Sequence, residues 1–430
     1  MSTKIAEADL DATLAKRDLV VDLARSACIV LVVVAHLLMI GVGIGADGEI
    51  VTSRPLEAQA WFDAATWVGQ VMPLFFALGG FTAYTAWQSL QRKGGDATDF
   101  VRGRVLRLAR PALPLFIVFA VALGVATAIG VDPTLLDIVA TGVGSPLWFL
   151  SAFLLTQVFA PLMVRLHIAA PRATLAVLFT LAVLVDAVRL TTGVVELGLA
   201  NLFFVWLFVQ QLGFWYADGW FRARRPWQLL TLAAAAYVVI GAIVFAGWAS
   251  TDMLRNLNPP TVPLALLGIA QLSLLALFHR PLAAFMQRRA AQRVVFLVGA
   301  RAMTIYLWHL PVIVLVAGLG LLLPFAVPEP ASPLWWATRP IVFVVVLALV
   351  YVVSIPLSRF EAAPPAIPAG MRRPDAARTW FAAVLTFFPA YAVMNWFLDL
   401  PIALIGSACL AAAVLMLRPR RTERAPLPVT

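Results

Sequence analysis

The chain has 430 residues, 62% of them hydrophobic and only 13% charged, with a mean hydropathy of +0.91. A soluble domain keeps about a quarter of its residues charged, because water must be met over the whole surface, so a water-soluble fold is excluded. The net charge of +10 would suit nucleic acid, and only the placement of the cations decides whether it does.

The apolar residues come in runs of about 20, the length at which a helix crosses a hydrocarbon core of ~30 Å. Lipid offers no backbone partners, so such runs are helices or barrel strands; runs without alternation exclude barrel strands. In chain order, spans are predicted near residues 25–45, 63–90, 111–130, 146–165, 173–192, 197–217 and 227–249. Five more follow near 261–279, 294–323, 335–358, 379–398 and 400–417. The expected fold is an all-α, polytopic transmembrane helix bundle of about twelve spans. A ten-helix membrane domain fills 25–358, after an N-terminal segment 1–24. A Pro-rich, basic linker (359–378) then leads to a two-helix hairpin (379–417) and a short basic tail (418–430).

Placing the N-terminus in the cytoplasm puts all but five of the 32 Lys and Arg on inner segments; the exceptions are Arg54, Arg189, Arg255, Arg301 and Arg339. Outer loops carry Asp47, Glu49, Glu57, Asp132, Asp137, Asp252 and Glu329 instead. This is the positive-inside pattern. The basic charge therefore orients the protein in the inner (plasma) membrane with both termini cytoplasmic, and no nucleic-acid partner is needed. The mixed-charge N-terminal segment does not read as a cleavable signal. Cys28 and Cys409 fall within spans as small apolar residues, no metal-ligand spacing is present, and no bound cofactor or metal is expected. Trp61, Trp148, Trp220, Trp227, Trp335 and Trp336 fall at span ends, as an interfacial belt would place them.

Ionisable residues inside spans are costly and point to function. His36 is the only ionisable residue in SACIVLVVVAHLLMIGVGIGA. Arg25 lies eleven residues before it, about three helical turns, so both share one face with His36 ~16 Å deeper. Asp22 lies nearly on that face and is placed to pair with Arg25. A neutral imidazole there is the usual acceptor for the proton of a hydroxyl attacking a carbonyl; a helix–helix hydrogen bond without chemistry is the plainer alternative. Next come Arg102, Arg104, Arg107 and Arg110. If helical, Arg104, Arg107 and Arg110 line one side, where guanidinium forks suit phosphate, although inner-face charge alone would give the same residues. His309 in GARAMTIYLWHLP comes at a depth comparable to His36 and is followed by Pro311, with Arg301 ~12 Å nearer the cytoplasm. His167 and His279 fall at span ends and read as interfacial. Gln157, Gln210, Gln211 and Gln271 either line an acceptor path or join helices.

Taken together these stretches resemble the acyltransferase-3 family of bacterial integral-membrane O-acyltransferases. RDLVVDLARSACIVLVVVAH carries an Asp-x-x-Arg and an Arg-x10-His at Asp22, Arg25 and His36, and FVRGRVLRLARPALP an Arg-x-x-Arg at Arg104 and Arg107. MPLFFALGGFTAY around Gly80, SPLWFLSAFLL around Trp148 and GARAMTIYLWHLPV around Tyr306 and His309 follow the family's order over about 17–358. The resemblance implies transfer of an acyl group, often acetyl from the co-substrate acetyl-CoA, to a hydroxyl of a cell-envelope glycan, a glycolipid or another small molecule. By it, His36 is catalytic with Arg25 and Asp22 in support. Arg104, Arg107 and Arg110 meet the donor, and His309, Tyr306, Trp148 and Gly80 border the substrate. Two positions depart from the family: Gly79 stands where a serine is usual, and no serine precedes Tyr306, although Thr304 is near. The hairpin is an addition. A proton-coupled transporter or flippase using both histidines as a relay is the alternative class; it favours inverted repeats, of which none is evident.

Overall fold

A computed structural model describes residues 17–44, 47–322, 328–364, 367 and 371–421. Most of the N-terminal segment, the tail beyond 421 and five residues of the linker lie outside the described residues. The elements in chain order are α1 (Leu19–Met39), β1 (Gly41–Ile44), β2 (Ile50–Ser53), α2 (Phe62–Gly69), α3 (Met72–Arg92) and α4 (Ala97–Ala128). Then come α5 (Pro133–Gly144), α6 (Trp148–Ala169), α7 (Pro171–Thr192), α8 (Asn201–Ala217), α9 (Pro226–Phe245) and α10 (Val262–Leu277). The remainder is α11 (His279–Phe285), α12 (Arg289–Ala300), α13 (Ala302–Leu322), α14 (Pro333–Glu361), β3 (Met371–Arg372), α15 (Ala376–Trp396), α16 (Leu400–Met416) and β4 (Arg420–Arg421).

Among the described residues, 10 helical stretches are long and apolar enough to cross a membrane, and α10 with α11 makes an eleventh if that pair, bent by 60°, is one span. α16 matches the remaining expected position but has only 17 residues. The protein is thus an all-α, multi-pass membrane bundle with two small antiparallel strand pairs, β1–β2 and β3–β4, outside the helices. Three expected boundaries are corrected. The span foreseen over 25–45 is helical only to Met39 and continues as β1, so His36 lies in the last turn of α1. The span foreseen over 294–323 breaks at Arg301, which ends α12 before α13 begins. The span foreseen over 261–279 turns by 60° after Leu277.

The chain forms two compact units. The first comprises residues 1–86 and 162–351. Its centre is α8 and α10, whose side chains are buried almost all round. Small residues let α3 meet α8 backbone to backbone: a Cβ on Gly80 would strike the Gln210 carbonyl, and one on Gly213 the Ala77 carbonyl. Phe76 stacks on Trp206 beside this crossing, with ring centroids 4.1 Å apart. Asp186 accepts from the Val262 backbone N–H at 2.8 Å and from Asn201 Nδ2 at 3.2 Å, with Arg189 at 3.6 Å, tying α7 to α8 and α10.

The second unit comprises residues 87–161 and 352–430. Its spine is α4, 32 residues long and started by a capping box in which the Asp96 carboxylate accepts from the Asp99 N–H at 2.9 Å. The C-terminal hairpin does not stand apart: α15 and α16 both pack on α4. Gly406 of α16 lies against the Phe116 ring. Arg102, 8% exposed, donates from Nε to the Leu417 carbonyl at 3.0 Å, at the end of α16. The β3–β4 pairing joins the approach to the hairpin with its exit, and Arg373 pairs with Asp99 at 2.7 Å.

A side chain at Gly406 must push into the Phe116 ring. Gly406→Val is therefore expected to cost about 1–3 kcal/mol, seen as a lower thermal midpoint of the detergent-purified protein. Gly103→Ala, on the same α4 but with nothing within 4 Å of its added methyl, should hold or raise that midpoint. Equal losses in the two variants would refute the packing of α16 on α4.

Candidate active site

α1 begins at Asp18, whose carboxylate accepts from the N–H groups of Val20 and Val21 at 3.1 and 3.2 Å, with Arg222 at 3.8 Å. One turn on, Asp22 is ion-paired with Arg17 at 2.9 Å. Arg17, Asp22, Arg25 and Ser26 form one wall of a small pocket whose other wall is Met286, Gln292, Val295 and Phe296. Ser26 Oγ donates to the Val295 carbonyl at 3.4 Å and joins the two walls. The innermost α1 residue of this pocket is Ile29, about 10 Å of helix short of His36.

At the other end of α1, His36 turns toward α13. His36 Nδ1 lies 2.8 Å from the Val32 carbonyl and 3.3 Å from His309 Nε2, with ring centroids 5.0 Å apart. His309 is fully buried, and its Nδ1 lies 2.7 Å from the Tyr306 carbonyl and 3.1 Å from that of Ile305. A ring nitrogen this close to a carbonyl oxygen must carry the hydrogen. Both rings are therefore protonated on Nδ1 when neutral. His309 Nε2 is then the lone-pair acceptor facing His36 Nδ1–H, and the lone pair of His36 is left on Nε2. A ring held this way can accept a proton at Nε2. Tyr306 completes the group, its ring centroid 6.3 Å from that of His309.

The arginine cluster divides. Arg110 donates to the carbonyls of Arg359 at 2.8 Å and Ala362 at 3.1 Å, and so caps the C-terminal end of α14. Arg102 is committed to Leu417. Arg104 lies over the Phe100 ring at 4.7 Å, and Arg107 is exposed. Trp148 opens α6 with its ring 6.1 Å from Phe149. Gly80 is where α3 and α8 cross. Among the described residues, no group of His, Cys, Asp or Glu is arranged to hold a metal ion.

The residues 18–359 match the acyltransferase domain family that the sequence motifs resemble. The chain belongs to the acyltransferase-3 family. It is a membrane acyltransferase. Comparison with curated proteins and with solved structures gave no match. The matched region starts at the cap of α1 and stops within the last turn of α14. The family region therefore carries both histidines, Arg25, Arg104 and Arg107, and the C-terminal hairpin lies outside it.

The sequence reading missed His167. It lies in the last turn of α6 and is only 4% exposed. Its Nδ1 lies 3.0 Å from Gln211 Oε1 and its Nε2 lies 2.8 Å from Asp218 Oδ2. Gln211 is oriented by its own Nε2, which donates to the Met163 carbonyl at 2.9 Å. Both ring nitrogens thus face acceptors, and His167 joins the end of α6 to α8. Partners 44 and 51 residues away leave no spacing signal in the sequence. His167→Leu strands the Gln211 oxygen in a buried site and is expected to cost about 1–3 kcal/mol. The loss should be halved or better in the double variant with Gln211→Leu, measured as thermal midpoints; additive losses would contradict the network.

Proposed function

We propose that this acyltransferase moves an acyl group, acetyl in the simplest case, from acyl-CoA to an acceptor hydroxyl, with His36 as the general base. The observation that supports this is the contact of half-buried His36 with His309, which leaves the His36 lone pair on Nε2. In the proposed step Nε2 takes the hydroxyl proton while the oxygen attacks the thioester carbonyl. The new C–O bond replaces the C–S bond, and the CoA thiolate leaves with the proton returned from His36. Desolvation among apolar helices strengthens each of these interactions relative to water.

The donor is drawn from the cytoplasm, where nucleotide-bearing thioesters occur. That side holds the N-terminal ends of α1 and α13 if the cation distribution orients the chain in the inner membrane with both termini inside. Arg25 lies in the pocket at that end of α1. Arg104 and Arg107, the Arg-x-x-Arg pair within the matched family region, are the residues proposed to hold donor phosphates. The acceptor class that suits a multi-pass enzyme is a cell-envelope glycan, a glycolipid or a membrane-soluble metabolite.

Membranes containing the wild type should transfer label from acyl-CoA, and His36→Ala should lower the rate by about 10²–10⁴-fold, the usual span for loss of a general base. His309→Phe removes the acceptor that fixes the His36 ring, so kcat should fall with the donor KM unchanged. Equal labelling by wild type and His36→Ala would end the assignment and leave the proton-relay alternative. Arg104→Ala should raise the donor KM roughly tenfold, the loss of one charge-assisted hydrogen bond to phosphate; an unchanged KM would remove Arg104 from the donor site.

A further inference from the structure

Between α10 and α13 the chain forms two helices, neither long enough to cross a bilayer by itself. α11 has 7 residues and α12 has 12, whereas ~20 are needed. From His279 to Arg301 the sequence holds Arg280, Arg288, Arg289, Arg293 and Arg301 and no Asp or Glu. Arg280, Arg288, Arg289 and Arg293 are exposed. Beside them stand Phe278, Phe285, Val294 and Leu297, which are 43–60% exposed. Water suits the guanidinium groups and not the four large apolar side chains, and hydrocarbon suits the reverse. Only the boundary between headgroups and acyl chains suits both.

We infer that the α11–α12 segment lies in the headgroup layer and binds anionic phospholipid through Arg280, Arg288, Arg289 and Arg293. Guanidinium forks match phosphodiester oxygens, and a segment with four exposed arginines and no Asp or Glu in its own sequence favours headgroups of net negative charge. The apolar side chains between them enter the acyl boundary and hold the helices in the plane of the surface.

The opposite face of the same segment is the wall of the pocket at α1. Met286 is fully buried, Gln292 is 8% and Val295 7% exposed, and all three line that pocket with Arg17, Asp22 and Arg25. Gln292 Nε2 donates to the Met286 carbonyl at 2.8 Å, fixing α12 on the turn that leaves α11. Lipid bound outside therefore sets the position of the wall inside. The binding stands independently of the acyl-transfer reading; its effect on turnover rests on that reading.

The test uses the purified full chain in nanodiscs of phosphatidylglycerol or phosphatidylcholine. Bound lipid is counted by native mass spectrometry and stability read as a thermal midpoint. Wild type should retain phosphatidylglycerol in preference to phosphatidylcholine and show a higher midpoint with it. Arg280→Gln/Arg288→Gln/Arg289→Gln/Arg293→Gln should lose both preferences. Arg92→Gln/Lys93→Gln/Arg172→Gln/Arg418→Gln, with the same loss of charge elsewhere, should keep them. Should the first quadruple variant not fold, Arg280→Gln/Arg293→Gln carries the same comparison with a smaller expected loss. Glycerol 3-phosphate at matched phosphate should leave the midpoint unmoved; a rise equal to that with lipid would assign the cations to a soluble phosphate instead. Equal lipid retention in all variants, or equal loss in both quadruple variants, would overturn the proposal. Acyl transfer is measured in the same nanodiscs: absence of transfer from wild type in either lipid would count against the enzymatic reading and leave the lipid result standing.

Discussion

A polar ring among apolar helices must find its hydrogen-bond partners inside the protein, because lipid supplies none. His36 meets this constraint through the carbonyl one turn below it and through a second histidine on another helix. The contact is short-ranged, so α1 and α13 must hold their register closely. Several features do so. Asp18 caps the start of α1, Ser26 reaches the Val295 carbonyl on α12, and β1 leaves the far end of α1 to pair with β2. The chemistry that such a pair offers follows from hydrogen bonding. Carbonyls hold one hydrogen on each Nδ1, and the remaining lone pair has one place to be.

The same constraint shapes the rest of the first unit. Its buried amides pair chiefly with backbone carbonyls: Gln271 with that of Gln70, Gln211 with Met163 and Asn201 with Ala182. A side chain that joins one helix to the backbone of another fixes spacing without adding a buried charge. The glycine crossing of α3 and α8 works alongside this by bringing backbones close enough for such bonds and for dispersion contacts to form. The pocket and the histidine pair are built from α1, α12 and α13.

In the second unit arginines complete helix ends. The last carbonyls of a helix have no partner within it and carry its negative dipole end. Arg110 meets those of α14, and Arg102 that of Leu417 just beyond α16. These two cations bracket Arg104 and Arg107 on α4, so the helix with the family's Arg-x-x-Arg is anchored on both sides of the motif. The hairpin beyond the family region takes part in this anchoring, which gives it a physical task without assigning it chemistry.

The sequence by itself determined the membrane class, the helical architecture and most span positions, because hydrocarbon thickness and backbone hydrogen bonding leave few alternatives to a run of apolar residues. The Arg-x10-His spacing also put Arg25 and His36 in view, since both belong to one helix and follow its local period. Tertiary structure alone decided which arginines are occupied by backbone carbonyls, that His36 ends α1 beside His309, and that His167 is buried between Gln211 and Asp218. It also broke the segment from 262 to 322 into one bent pair and two further helices, which no apolar count foretells. Each of these depends on contacts between residues far apart in the chain. Periodicity reports a helix's own faces but not which neighbour a face will meet.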